Sequence, residues 1–250
     1  MVQSARAEAF RSLHVKGTPL VLWNIWDAGS AKAVAGAGAK ALATGSWSVA
    51  AAQGFADGEA LPLENLLTTA AQIVGAVDLP VSVDFEGGYA ASPEGVGRNA
   101  AALIATGAVG LNFEDRIVGG KGLYPLADQA RRIAAIRQAA EAADVPFFIN
   151  ARTDVFFGGS EGAPDALLEE ALERAGAYAA AGADGLFVPG VNDPGLIAQI
   201  CARQELPVNV MRMKPDTEIS ALAELGVARI SHGPGPYRAA MQALQEAAVT

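Results

Sequence analysis

Three acidic side chains, Asp84, Glu86 and Glu114, each stand at or just past the end of a short apolar run that reads as a buried strand. On the ends of adjacent strands such carboxylates point at one small volume. Like charges that close repel, so they are stable together only if a cation sits among them or one is protonated. All-oxygen donors with no histidine or cysteine nearby select a hard metal, Mg2+ or Mn2+, over zinc. Asp57, in the loop 53–58, is placed to join them as an outer partner. The structural reading is that these acids cap helices or face solvent, as Asp115 would by pairing with Arg116 or Lys121. As a set, beside glycines that let a ligand approach the backbone, they favour the functional reading.

Arg152 lies among apolar residues at another strand end, where a guanidinium is costly unless paired. It is a fork for a substrate carboxylate or phosphonate, or a structural partner of Asp154 or Glu114. Gly45-Ser46-Trp47 offers successive N–H groups to a substrate oxyanion, or forms an ordinary strand-to-helix turn. Asn209, Arg212 and His232 stand near the last two strand ends and complete the polar set. Asn209 and His232 are taken as substrate-binding residues, His232 with the alternative of a structural hydrogen-bonding group. Trp23, Trp26 and Trp47 either wall the pocket or only pack the mouth. His14 is expected at the surface and Cys201 as a small buried residue.

The elements that must position these residues repeat along the chain. Apolar runs without two-residue alternation, as in parallel strands buried on both faces, are expected at 20–24, 39–43, 81–84, 110–113, 147–150, 185–188, 208–211 and 228–231. Ala-rich amphipathic stretches alternate with them, at 63–77, 92–105, 126–143, 164–181, 194–202, 218–225 and 236–248, after a short N-terminal helix at about 3–13. Four helices end at a glycine that suits a left-handed cap, directly before a strand. Some eight such units argue for a single-domain (β/α)8 barrel, α/β in class, whose active site lies at the C-terminal ends of the strands. A doubly wound sheet is the alternative, but no Gly-rich dinucleotide fingerprint follows the first strand.

Composition agrees. The 250 residues are 51% hydrophobic, and 18 basic against 27 acidic side chains give a net charge of −9. That balance argues against nucleic-acid binding. One cysteine forms neither an internal disulfide nor a thiolate zinc cluster. The charged N-terminus does not read as an export signal, and no run approaches the ~18–20 apolar residues of a membrane span. The expected setting is cytoplasmic, with a small molecule as partner.

The sequence resembles the isocitrate lyase/phosphoenolpyruvate mutase superfamily from about Trp23 to Ala240. The likeness rests on Trp26-Asp27-Ala28-Gly29-Ser30-Ala31, Thr44-Gly45-Ser46, Asp57, Asp84-x-Glu86-Gly-Gly-Tyr89, Glu114-Asp115-Arg116 and Ala151-Arg152-Thr153-Asp154. It implies a (β/α)8 barrel and Mg2+-dependent making or breaking of C–C or P–C bonds beside an oxo group. It also implies Asp84 as the main Mg2+ ligand, with Glu86, Glu114 and Asp57 acting mostly through metal-bound waters. Gly45, Ser46 and Trp47 would contact the substrate carboxylate and oxo oxygen, and Arg152 the distal part or leaving group. Homo-oligomers follow too, dimers or tetramers, with the helix 236–248 exchanged between subunits.

The chain departs from the pattern in the loop after Glu114. It lacks the cysteine and histidine of isocitrate and methylisocitrate lyases, which argues against those activities. It keeps the lysine of the phosphonomutases, as Lys121, but not their asparagine. Lys121 is therefore a catalytic candidate beside Asp57 and Arg152. The chemistry that survives is cleavage or decarboxylation of an oxaloacetate- or 2-oxoglutarate-like acid through a metal-stabilised enolate. The Gly-rich loop 118–123 would close over the site. Phosphonomutase or phosphonopyruvate hydrolase activity, and 2-oxo acid binding without turnover, are the alternatives.

Overall fold

The computed structural model describes residues 2–212 and 217–249. The elements run α1 (Val2–Ser12), β1 (Leu20–Leu22), β2 (Asn24–Ile25), α2 (Ala28–Gly36), β3 (Leu42–Thr44), α3 (Ser46–Ala52), α4 (Leu63–Ala76), β4 (Val81–Asp84), α5 (Pro93–Ala105) and β5 (Gly110–Glu114). They continue with α6 (Leu126–Ala142), β6 (Phe148–Arg152), a π-helical turn (Val155–Gly159), α7 (Pro164–Ala180), β7 (Gly185–Phe187), α8 (Pro194–Arg203), β8 (Val208–Met211), α9 (Ile219–Glu224), β9 (Arg229–Ser231) and α10 (Gly235–Ala248). Among the described residues, no helix is long and apolar enough to cross a membrane.

All the strands pair in parallel, in the order β1-β9-β8-β7-β6-β5-β4-β3-β2. The two ends of that order are consecutive in the chain. The strand expected at 20–24 is broken at Trp23, its first half pairing with β9 and its second with β3. One strand thus closes the sheet on itself, giving the (β/α)8 barrel. The strand expected at 39–43 begins later, at Leu42, and β6 runs on to Arg152, which carries that guanidinium to the mouth.

The strands are buried on both faces because aliphatic side chains fill the barrel interior and the layer beneath the helices. Leu22, Val83, Leu111, Ile149, Leu186 and Ile230 are fully buried. Helix starts follow local chemistry. Asp27 and Ser30 form a reciprocal capping box on α2, so the polar residues of the Trp26–Ala31 motif start a helix. Ser92 and Asp193 cap α5 and α8, each followed by proline in the first turn. Where α5 crosses α6, a β-carbon at Gly97 would lie 3.3 Å from the Ala135 carbonyl oxygen, so glycine there sets the helix spacing.

The N-terminal helix closes the barrel floor. Phe10 is fully buried, with its ring 5.4 Å from that of Phe148. His14, expected at the surface, is buried: it stacks on Phe148 at 4.1 Å, and Nδ1 lies 2.8 Å from the Phe10 carbonyl. Burial and the nearby Arg229 charge push its pKa down to about 3. Cys201 is buried in α8, as expected.

Candidate functional site

A cavity of about 220 Å³ opens at the C-terminal ends of the strands. Asp84 and Asp57 both face it, with Asn112, Arg152, Ser46 and Trp47 in the same wall. Asp84 is fixed from β3: its N–H donates to Thr44 Oγ1 at 2.8 Å, and its Oδ2 accepts the Ser46 N–H at 3.0 Å. Gly45 is the N-cap of the short helix α3. The turn therefore turns one N–H onto the aspartate, while Gly45, Ser46 and Trp47 still line the cavity. Asp57 reaches the Ser46 side chain, and its carboxyl is raised by desolvation and by the charge of Asp84.

Glu86 does something its spacing did not announce. Its carboxylate turns away from the cavity and accepts the N–H groups of Gly58 and Glu59 at 2.9 and 2.8 Å. Glu59 Oε1 in turn accepts the Tyr89 N–H at 2.8 Å, and Tyr89 Oη donates to Glu86 Oε1 at 3.3 Å. The two loops are cross-braced. Glu59, Glu86 and Tyr89 all hold positive φ, at 57°, 48° and 55°, which costs a non-glycine residue roughly 1–2 kcal/mol each. The braces and burial hold that strain and set the Asp57 loop beside Asp84. Burial first, then Asp84, pushes the Glu86 carboxyl up to about 7.

Glu114 is paired rather than free. Arg152 Nη1 lies 3.0 Å from Glu114 Oε2, while its Nε and Nη2 donate to the two oxygens of Asp154 at 2.6 and 2.9 Å. Burial and the nearby acids Asp154, Asp84 and Glu86 outweigh the arginine and raise the Glu114 carboxyl to about 8. Arg152 is driven the other way, more firmly protonated, by Glu114 and Asp154. Arg152 is thus ion-paired with both acids named in its structural reading, and it also lines the cavity. Asp115 has the structural role, with other partners than Arg116 or Lys121. It is fully buried and accepts the Asp154 N–H at 2.9 Å, Tyr178 Oη at 2.7 Å and Arg174 Nη1 at 3.4 Å.

Several expected site residues stay outside the cavity wall. Lys121 is exposed on the tip of a hairpin closed by the Arg116–Leu123 bridge and the Ile117 N–H to Gly122 carbonyl bond. Asn209 is fully buried within the barrel, its Oδ1 accepting from Ser231 Oγ at 3.2 Å. His232 lies with Nδ1 3.1 Å from the Leu22 carbonyl and its ring stacked on Trp23 at 4.3 Å, which is the structural alternative. Of the three tryptophans, Trp47 lines the cavity, whereas Trp23 stacks on His232 and Trp26 packs edge-on to Tyr237. Among the described residues no three His, Cys, Asp or Glu side chains form a group that would hold a metal directly. Glu86 and Glu114 are thus engaged by protein groups, and of the three strand-end acids Asp84 is the one that lines the cavity.

Residues the sequence did not single out complete the wall. Asn24 Oδ1 accepts the N–H groups of His232 and Gly233, both at 2.9 Å, and pins the turn after β9. Phe157, Phe187 and Met211 supply apolar surface. Arg238, in the first turn of α10, lies over the Trp47 ring with its guanidinium carbon 4.8 Å from the centroid. Its place inside the run read as the helix 236–248 hid it; its closeness to the end of the last strand was the available signal. Beneath the cavity, Asn112 Oδ1 accepts from Asn150 Nδ2 at 2.8 Å and from the fully buried Arg229 at 3.1 Å.

Comparison with known proteins agrees with this geometry. The profile of the phosphoenolpyruvate phosphomutase family matches residues 10–250. An uncharacterized protein of Mycobacterium tuberculosis is 35% identical over 96% of this chain and 87% of its own. The phosphoenolpyruvate phosphomutase of Streptomyces hygroscopicus is 31% identical over 94% and 76%, and the oxaloacetate decarboxylase of Pseudomonas savastanoi 30% identical over 94% and 81%. A phosphonomutase-type protein from Burkholderia cenocepacia, solved by crystallography, superposes with a TM-score of 0.95 at 53% identity, covering 98% of this chain and 97% of its own. A phosphonopyruvate hydrolase crystallised with oxalate and Mg2+ shares the fold at 22% identity, covering 96% and 84%, with a TM-score of 0.86. With its barrel, its strand-end acids and a family match over nearly its whole length, the chain belongs to the phosphoenolpyruvate phosphomutase family.

Proposed function

We propose that this protein is a Mg2+-dependent lyase or decarboxylase acting on a small 2-oxo acid. The observation that carries the reading is the cavity itself, where Asp84 and Asp57 face one space beside Arg152 and the α3 turn. The donor set fits a hard cation, being carboxylate oxygen with no histidine or cysteine in the wall. Asp84 would hold it, with Asp57 acting through water. Glu86 and Glu114 would stay behind as the groups that brace the Asp57 loop and Arg152. When bound, the cation supplies the electron sink that lets a bond next to the oxo group break.

The chain's own residues do the rest. The Gly45 and Ser46 N–H groups are taken by the Ile25 carbonyl and Asp84, so the first turn of α3 at Ser46 and Trp47 offers its cavity face, rather than those two donors, to the substrate carboxylate. Arg152, immobilised by Glu114 and Asp154, presents a fixed positive charge to the reacting end. Asp57, whose carboxyl is raised by desolvation and by Asp84, stands beside Ser46 as the group placed to relay a proton, through water, to the carbon freed by cleavage. Phe157, Phe187 and Met211 keep bulk water from that carbon. The relatives named as oxaloacetate decarboxylase and phosphoenolpyruvate phosphomutase bracket this chemistry, and the absence of Lys121 from the cavity wall favours the decarboxylase side.

Loss of the oxaloacetate enol absorbance, with and without Mg2+, tests the reading. Metal-dependent loss faster than in buffer supports it. Phosphorus NMR with phosphonopyruvate supplies the competing outcome: P–C turnover without oxaloacetate turnover replaces this reading with the phosphonate one. Binding of 2-oxo acids without either turnover replaces it with a non-catalytic binder.

A homo-oligomer is part of the same proposal. Helix α10 buries none of its residues, and Met241 and Leu244 are exposed on it. A second copy is the natural cover for such a face. Native mass spectrometry returning a dimer or tetramer supports this, and a monomer at micromolar concentration refutes it.

A further inference from the structure

We infer that Asn112 donates its side-chain N–H to the ligand oxygen lying beside Asp84, and that Arg229 is the positioning residue that turns this amide into the cavity. The inference rests on the reading of Asp84 as the cation anchor.

A 2-oxo acid in this cavity presents oxygens, and an oxygen taken out of water needs a donor. The Gly45 and Ser46 N–H groups are already spent on the Ile25 carbonyl and on Asp84. Two side-chain amides line the wall, Asn24 and Asn112. The Asn24 Nδ2 is spent on the Thr44 carbonyl at 2.8 Å. The Asn112 Nδ2 donates to none of the described residues, although the residue is only 3% exposed. Its place is set by strand pairing, because Asn112 on β5 is the register partner of Asp84 on β4. Neighbouring strands lie about 4.8 Å apart, and side-by-side residues of a parallel pair face the same side of the sheet. The amide and the carboxylate therefore stand next to each other at one height of the barrel, both lining the cavity.

Which end of the amide meets the ligand is decided from beneath. Asn112 Oδ1 accepts from Asn150 Nδ2 at 2.8 Å and from Arg229 Nη2 at 3.1 Å. Asn150 alone would not decide it, since two amides pair equally well after both flip. A guanidinium has N–H donors and no acceptor, so the atom facing Arg229 has to be the oxygen. The NH2 end is then turned away from Arg229, toward the cavity. Arg229 is fully buried, so bulk water does not compete for the amide oxygen. A fixed donor beside the anchor holds a ligand oxygen more strongly as that oxygen gains negative charge. The oxo oxygen of a 2-oxo acid does so when a bond next to it breaks.

Calorimetry tests this with two probes, Mg2+ alone and then oxalate added to the Mg2+-loaded protein. The wild type should take up oxalate only with Mg2+. Asn112→Leu keeps the side-chain size and removes the donor. It should weaken oxalate about tenfold, the lower end of hydrogen bonds to charged groups, and leave the affinity for Mg2+ alone within about twofold. Asn112→Asp keeps an acceptor for Arg229, which guards the fold. It should bind Mg2+ at least as tightly as the wild type while oxalate weakens about tenfold or more. Arg229→Met lets the amide pair flip, so the donor faces the cavity about half the time and oxalate should weaken at least about twofold. That loss should come with a urea midpoint near the wild type's and should vanish when Asn112→Leu is already present. Unchanged oxalate affinity in both Asn112 variants overturns the inference alone. So does a parallel loss of Mg2+ and oxalate in Asn112→Leu, because the amide then serves the cation or the fold. An Arg229→Met loss that adds in full to that of Asn112→Leu, or no loss at all, overturns the positioning role. If the wild type shows no Mg2+-dependent oxalate binding, the anchor itself falls, and this inference with it.

Discussion

Arg152 at the barrel mouth and Arg229 at its floor are both guanidinium groups inside one barrel, and their surroundings are opposite. Arg152 meets Glu114 and Asp154 at 3.0, 2.6 and 2.9 Å. Arg229, fully buried, meets a neutral amide, Asn112 Oδ1, at 3.1 Å, with the Phe10 ring 5.9 Å away. The acids make Arg152 a firmer cation, while burial pulls the pKa of Arg229 down to about 9 against the pull of Asp84. The contrast separates two uses of a buried charge. At the mouth the charge is compensated in advance and therefore rigid, which suits contact with a reacting group. At the floor it is held by packing and supports the site from below, through Asn112.

The comparison can be broken most forcefully at Arg152. Arg152→Met leaves Glu114 and Asp154 as buried carboxylates without their partner, and such losses cost about 3–5 kcal/mol. Urea unfolding of the metal-free protein should show it; a cost below about 1 kcal/mol would mean that the acids find other partners easily. Next in size is Asp84→Ala, which removes the carboxylate that both arginines feel. Calorimetric Mg2+ affinity should fall at least about a hundredfold, or roughly 2.7 kcal/mol, and an unchanged affinity would remove Asp84 as the anchor.

A smaller effect sharpens the electrostatic side. The carboxyls of Glu86 and Glu114 are raised to about 7 and about 8 in the folded protein, from 4.5. Above pH 4.5, and up to about 7 for Glu86 and about 8 for Glu114, the folded chain therefore holds protons that the unfolded chain has released. The part of that range clear of His14 is pH 6.5 to 8. Stability of the metal-free protein should fall as pH rises through that window, by at most about 1.4 kcal/mol per pH unit and group. His14, lowered to about 3, works with the opposite sign, and its effect is confined to pH below 6.5. Glu114→Gln should flatten the slope in unfolding curves taken across the window, and a stability that climbs with pH there would contradict the assignment. The smallest change is expected at the floor. Arg229→Met replaces a charge lacking an adjacent acid with an apolar chain of similar length, while Asn112 keeps Asn150. Stability should stay within about 1 kcal/mol of the wild type or rise. A loss as large as at Arg152 would erase the distinction between the two arginines.

The strand ends were readable because apolar runs halt at polar residues, and Asp84 and Arg152 stand where those runs placed them. Glu86 was read by the same rule and its carboxylate turned elsewhere, because a positive φ and two backbone N–H groups from the Asp57 loop redirect it. His14 was misplaced because an imidazole beside a charged helix looks solvated until a stacking partner, Phe148, comes from 134 positions away. Lys121 carries the residue type of a catalytic loop but sits on the far tip of a closed hairpin, where hydrogen bonds within the hairpin decide its direction.

The amino-acid sequence by itself determined the alternation of buried strands and amphipathic helices, the barrel they close into and the acids at its mouth, since each depends on local periodicity or local chain punctuation. Tertiary structure alone decided which charges are matched and which are open. That follows from contacts between strands and loops far apart in the chain, and burial then sets how strongly each charge is felt.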